Sequence, residues 1–354
     1  MIQARSLKAL SASLLVLLLQ ACGGGGTEAP PPEPAFTAAQ ADLDDALNCT
    51  PFTHPERPPV LLVHGTTTTG SEQYTLFYTP QLVALGYDVC IVTYPDRGLG
   101  DMQVSAEYIV NALRSVRAQS GRRVAMIGHS QGASMPRWAL KFWPSARDAV
   151  EDFVLIAGPN HGTTVALLPT LLPTLLETLG LGALPIGTLP EALYQFVPES
   201  AFVTAVNTGD ETPGDIDYSS IYTQFDELVR PVSPVATAAL DAGQNNPRVA
   251  NILLQDICPG YLSTHLIIGT SDPIPFALAL DAINNPGPAN VTRAGGPSAL
   301  CGLLPVDVTA LLQAPLVRGL LEIVASEFEN GLPNPHLAAR EPPLMPYVAA
   351  ATGP

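Results

Sequence analysis

Gly128-His129-Ser130-Gln131-Gly132 follows the apolar run Arg123–Gly128 and precedes a helix-like segment with Trp138 and Leu140 that ends at Pro144. A strand that passes into a helix over so few residues must turn sharply, and the serine sits at the apex. The turn forces Ser130 into a strained backbone conformation, and a β-carbon at either flanking glycine would collide with the neighbouring strand or helix. Three other short, β-rich apolar runs have the pattern of buried parallel strands: Pro59–Val63, Asp88–Tyr94 and Asp152–Ala157. After the second, Ala106, Ile109, Val110, Leu113 and Val116 recur at helical spacing, with Asp101 as N-cap and Gly121 as C-cap. Strands alternating with helices predict right-handed βαβ units. The expected class is α/β, with a mostly parallel central sheet and helices on both faces.

The turn lifts the Ser130 hydroxyl clear of the sheet at a helix N-terminus, where the dipole and free N–H groups favour developing negative charge. Ser130 is the candidate nucleophile. Its oxyanion would be held by the N–H of the next residue, Gln131, and by one from the loop after an earlier strand. That loop is His64-Gly65-Thr66-Thr67-Thr68-Thr69-Gly70, and Thr66 supplies the N–H and, through its hydroxyl, a possible third donor. The base must be a histidine, and its orienting carboxylate should precede it in the chain. His265 and His336 are far enough downstream. His336 stands in a proline-rich segment of surface-loop character, so His265 is the better base. Asp226 follows the strand-like run Tyr218–Tyr222 and so sits at a strand end, while Asp215, Asp217, Asp241 and Asp256 compete with it. His129 should point away from the serine hydroxyl and His161 precedes any acid, so both read as structural.

Residues 1–21 read as a targeting signal, with Arg5 and Lys8 before an apolar stretch from Ala9 to Leu19 that is too short to span a bilayer. Leu19-Gln20-Ala21-Cys22 resembles the lipobox of bacterial lipoproteins, which implies lipidation at Cys22; an ordinary cleaved signal is the alternative. Residues 22–34, rich in Gly and Pro, read as a flexible tether, and residues 35–354 as one large domain. Removing Arg5 and Lys8 from 16 basic residues leaves 14 against 32 acidic ones, a formal charge of −18. Nucleic acid and anionic membrane surfaces are therefore poor partners for the chain. Apart from Cys22, four cysteines remain (Cys49, Cys90, Cys258, Cys301), an even count that argues for two disulfides with three possible connectivities. No CxxC pair points to zinc, and no metal or cofactor is expected.

Taken together, Leu61–Gly70, Ser130-Gln131-Gly132, Tyr222–Pro231, Cys258-Pro259-Gly260 followed by His265, and Leu344-Met345-Pro346-Tyr347 resemble in order the family of Candida antarctica lipase B and its bacterial relatives. The likeness runs from about Leu43 to Tyr347. It implies an α/β-hydrolase fold, a triad of Ser130, Asp226 and His265, oxyanion donors at Thr66 and Gln131, and disulfides Cys49–Cys90 and Cys258–Cys301. There are departures. The C-terminal disulfide of the yeast enzyme has no counterpart, Asn160 replaces an acidic residue near that family's acyl pocket, and Pro136 predicts a kink in the helix after the serine. His64 and the loop Gly158-Pro159-Asn160-His161-Gly162 instead resemble secreted bacterial lipases.

Residues 163–195 form an unusually apolar stretch whose prolines exclude a membrane-spanning helix, and they read as a cap or lid over an acyl pocket. The amphipathic stretch Val308–Phe328 is a second candidate wall. The reading is an exported, monomeric lipase or esterase whose partner is an apolar ester or a lipid interface, membrane-attached through Cys22. A polyester or polyhydroxyalkanoate depolymerase is the neighbouring alternative. A non-catalytic lipid-binding lipoprotein is the rival class, against which stands the filling of every triad and oxyanion position.

Overall fold

Val60 and Leu62 bury into one apolar layer and Leu61 and Val63 into another, which is the period of two that a strand buried on both faces must show. The computed structural model describes residues 33–167, 189–241, 244–305 and 337–351, and residues Pro34–Pro354 form one compact unit. The signal segment, Cys22, most of the tether, His336, the Val308–Phe328 wall and residues 168–188 of the cap lie outside the described residues.

The sheet has seven strands: β1 (Leu47–Cys49), β2 (Val60–Val63), β3 (Val89–Val92), β4 (Val124–His129), β5 (Val150–Ile156), β6 (Asp217–Tyr222) and β7 (Val249–Leu253). Their order is β1-β3-β2-β4-β5-β6-β7. Every pairing is parallel except that of the edge strand β1 with β3. Helix α1 (Met102–Ser120) covers one face, and the helix Pro273–Asn284 belongs to the layer on the other. The α1 bounds follow the caps: the Asp101 side chain accepts from the Gln103 N–H, and Gly121 ends the helix at φ 72°. Caps are worth about 1 kcal/mol each. Ile109, Val110, Leu113 and Val116, all fully buried, contribute about 1.5–3 kcal/mol apiece, so packing rather than capping holds this helix.

The segment after the serine divides at Met135 into α2 (Gln131–Ser134) and α3 (Pro136–Phe142). Pro136 occupies the first position of α3, where a missing N–H costs nothing, so the expected kink takes the form of a break between two helices. Cys49 and Cys90 are register partners on β1 and β3 and are joined by a disulfide; Cys258 is joined to Cys301. The two ends of the stretch expected to form a cap lie together: the Thr163 N–H donates to the Phe196 carbonyl at 2.7 Å.

At the N-terminal edge of the strands Asp152 stands in register with Asp217. Burial first, and then the charges of Glu151 and Asp217, push the Asp152 carboxyl up to about 8. Between pH about 4, where an unfolded aspartate ionises, and pH about 8 the folded chain holds a proton that the unfolded chain has released, so stability falls as pH rises through that window. Asp152→Asn should melt above the wild type near pH about 9 and little differently near pH about 3, below the point at which the unfolded aspartate ionises. Calorimetry across the window checks this, and melting curves that stay parallel would show a carboxylate ionised throughout.

Candidate active site

Strand β4 delivers Ser130 into a turn at φ 55°, ψ −123°, a conformation that L side chains rarely adopt. The two glycines make the turn possible. A β-carbon on Gly128 would lie 1.8 Å from the Gly132 carbonyl oxygen, and one on Gly132 would lie 2.2 Å from that of Val63. The Ser130 N–H is fixed by the Ile156 carbonyl of β5 at 2.9 Å.

His265 begins a short helix, His265–Ile268, capped by Thr264. Its Nε2 lies 2.9 Å from Ser130 Oγ and its Nδ1 2.9 Å from Asp226 Oδ2. Asp226 is 2% exposed and His265 4%. The other aspartate oxygen, Oδ1, accepts from the Leu228 N–H at 2.9 Å and the Val229 N–H at 2.7 Å. Burial alone would raise the Asp226 carboxyl, but the charge and hydrogen bond of His265, with these two N–H groups, hold it below the usual carboxylate range. The arrangement can therefore keep a carboxylate ionised behind an imidazole whose free nitrogen faces a hydroxyl.

The structure brings together Ser130, Asp226 and His265 and not the competing acids. Asp215 pairs with Arg123 and Arg248, Asp217 stands at the far edge of the sheet, Asp241 accepts from Thr212 and Asn246, and Asp256 is exposed. His161 bonds Glu211 at 2.6 Å and the Thr237 carbonyl at 3.0 Å, away from the serine.

The loop after β2 is held by its own chemistry. Thr69 and Glu72 form a capping box on the helix Gly70–Tyr74, and Glu72 pairs with Arg97, which also donates to the Thr67 carbonyl. This fixes Thr66 beside Gln131, and the Thr66 hydroxyl donates to Gln131 Oε1 at 3.2 Å. That hydroxyl thus serves the Gln131 side chain. Among the described residues no group accepts from the backbone N–H of Thr66 or of Gln131, which is the first residue of α2. Asn160 is buried, its amide donating to the Ala238 carbonyl at 2.7 Å, and its Oδ1 has no partner among the described residues.

Two contributors escape a reading of the sequence. The exposed Glu227 accepts the His265 N–H at 2.9 Å, and its position next to the acid was the only signal. Gln73, in the helix after the threonine loop, donates to His129 at 3.0 Å and accepts from Gly65 at 2.8 Å; nothing local marks it.

The chain is similar to lipase B of Pseudozyma antarctica, at 29% identity over 322 residues covering 89% of this chain and 86% of the relative. It is also 29% identical to a triacylglycerol lipase of Pseudomonas fragi over 128 residues, 35% of this chain and 40% of that one. Among solved structures it is similar to Aspergillus fumigatus lipase B, with a TM-score of 0.75 at 28% identity over 90% of this chain and 74% of that chain. The model of the alpha/beta hydrolase family matches residues 60–299, most of the described sheet and all three of the residues gathered at Ser130, and the chain belongs to that family.

Proposed function

We propose that this protein is a lipase or esterase that hydrolyses apolar carboxylic esters through an acyl-enzyme on Ser130. The observation that carries the reading is the line from Ser130 Oγ through His265 to Asp226, with both contacts at 2.9 Å, on a serine held in a strained turn. His265 Nε2 takes the hydroxyl proton as Oγ attacks the ester carbonyl carbon, and the resulting oxyanion is held by the N–H groups of Thr66 and Gln131. The imidazolium gives its proton to the departing alcohol, leaving the acyl group on Ser130. Water, deprotonated by the same nitrogen, then releases the acid. Asp226 holds Nδ1–H throughout and balances the transient charge.

Two disulfides support an oxidising compartment, and we place the enzyme outside the cytoplasm, anchored through lipidated Cys22. Intact-mass analysis of the mature N-terminus checks the anchor, and an unmodified start elsewhere would exclude it. Rates on soluble esters, emulsified triacylglycerols and polyester films test the substrate class. We expect hydrolysis of the first two; turnover confined to films would make the protein a depolymerase, and no turnover with any of them would refute the reading.

A further inference from the structure

A general base must keep its position to a fraction of an ångström for proton transfer to stay efficient. Asp226 orients the His265 ring, and the backbone beneath is gripped at both ends. The His265 N–H donates to Glu227, and its carbonyl accepts from His129 Nε2 at 2.8 Å. A carbonyl can only accept, so His129 carries its proton on Nε2, and its Nδ1 must accept in turn. Gln73 Nε2 lies 3.0 Å from that nitrogen. With the amide set this way round, Gln73 Oε1 faces the Gly65 N–H at 2.8 Å and the Thr68 hydroxyl at 3.1 Å. Gly65 immediately precedes Thr66, the candidate oxyanion donor.

Each link thus dictates the direction of the next, and the chain of bonds runs from the oxyanion loop to the backbone of the base. Both side chains are buried, Gln73 at 3% and His129 at 4% exposure. There is no slack beside the His129 ring: a β-carbon on Gly269 would sit 1.9 Å from it. Burial, and then the charge of His265, hold the His129 imidazole down to about 3, which leaves it neutral with one donor and one acceptor at neutral pH. Apolar side chains would fill this space without the cost of desolvating four polar atoms, so the chain is more than packing.

Building on the Ser130–His265 site, we propose that Gln73 and His129 are positioning residues that lock the oxyanion loop and the main chain of His265 to each other. Neither touches substrate. Their effect is on the distance between the donor at Thr66 and the base.

The test uses Gln73→Leu and His129→Phe, singly and together, on p-nitrophenyl butyrate, with active sites counted by a fluorophosphonate whose attachment is mapped by peptide mass spectrometry. We expect kcat per titrated site to fall about 10²-fold with KM nearly unchanged, as misplacement of catalytic groups does. The double variant should be no worse than the poorer single, because either substitution cuts the same chain. Gln73→Glu keeps the acceptor for Gly65 but sets a carboxylate oxygen against the His129 Nδ1 lone pair, so it cuts the same link with the size of the side chain kept; it should lose about as much as Gln73→Leu, and it serves where that variant does not fold. Unchanged kcat in variants labelled on Ser130, or losses that multiply in the double variant, would overturn the proposal. Phosphonate on another residue would overturn the assignment of the nucleophile itself, an outcome separable from the first.

Discussion

Ser130→Ala should remove both ester hydrolysis and phosphonate labelling, and His265→Ala should cost almost as much, each about 10⁶-fold in kcat. The two losses match because the hydroxyl and the imidazole act as one nucleophile. Without His265 the hydroxyl keeps its proton, and without Oγ the base 2.9 Å away has nothing to activate except water. What survives is the contribution of the Thr66 and Gln131 N–H groups and of substrate binding, which in other triads leaves about 10³–10⁴-fold over the uncatalysed rate. Ser130→Ala removes one oxygen after β4 and keeps the β-carbon, so the turn is as strained as before and the variant should fold about as well as the parent. Residual rates on a soluble p-nitrophenyl ester, with intact mass after fluorophosphonate treatment, measure the effect. Labelling of Ser130→Ala to the same extent as the wild type would exclude Ser130.

The parts of this site that were legible in the sequence are those set by local geometry. The strained serine turn needs glycine on either side whatever the rest of the chain does, and Gly128 and Gly132 meet backbone oxygens of Gly132 and Val63 where a side chain would go. The α1 boundaries were readable for a similar reason, since Asp101 and Gly121 act on the residues next to them. Short β1 and the strand β7 were not foreseen: β1 has only three residues, and β7, Val249–Leu253, has an uneven burial pattern with no alternation to read. The residues alone left Asp226 among five acids, because chain order says nothing about distance. The parallel sheet resolves it. β6 begins at Asp217, which is level with Asp152 at the edge away from Ser130, and ends at Tyr222, so an acid four residues later emerges on the serine side. Gln73 carries no local signal, and His129 reads only as structural, because the pairings that join them to each other and to the main chain of His265 span 56 and 136 residues, and no local pattern encodes them.

Asp226→Asn should lower kcat about 10⁴-fold, roughly 5.5 kcal/mol of barrier, while leaving the fold intact. The direction follows from how the side chain is held. Oδ1 takes two backbone N–H groups, from Leu228 and Val229, and only the oxygen of an amide can replace it there. The amide NH₂ must then face His265 Nδ1, where the carboxylate oxygen was 2.9 Å away. Two donors cannot share that contact, so Nδ1 gives up its proton and becomes the acceptor, which places the remaining proton on Nε2. That nitrogen now donates toward Ser130 and can no longer receive from it. The loss is therefore one of tautomer rather than of position, and it should appear in kcat at every pH where the wild type works, with little change in melting temperature. Asp241→Asn and Asp256→Asn serve as controls; neither aspartate bonds His265, so both should keep wild-type rates. Full activity in Asp226→Asn with a collapse in either control would assign the acid elsewhere, since no other arrangement of these side chains lets an amide at this position leave the base free.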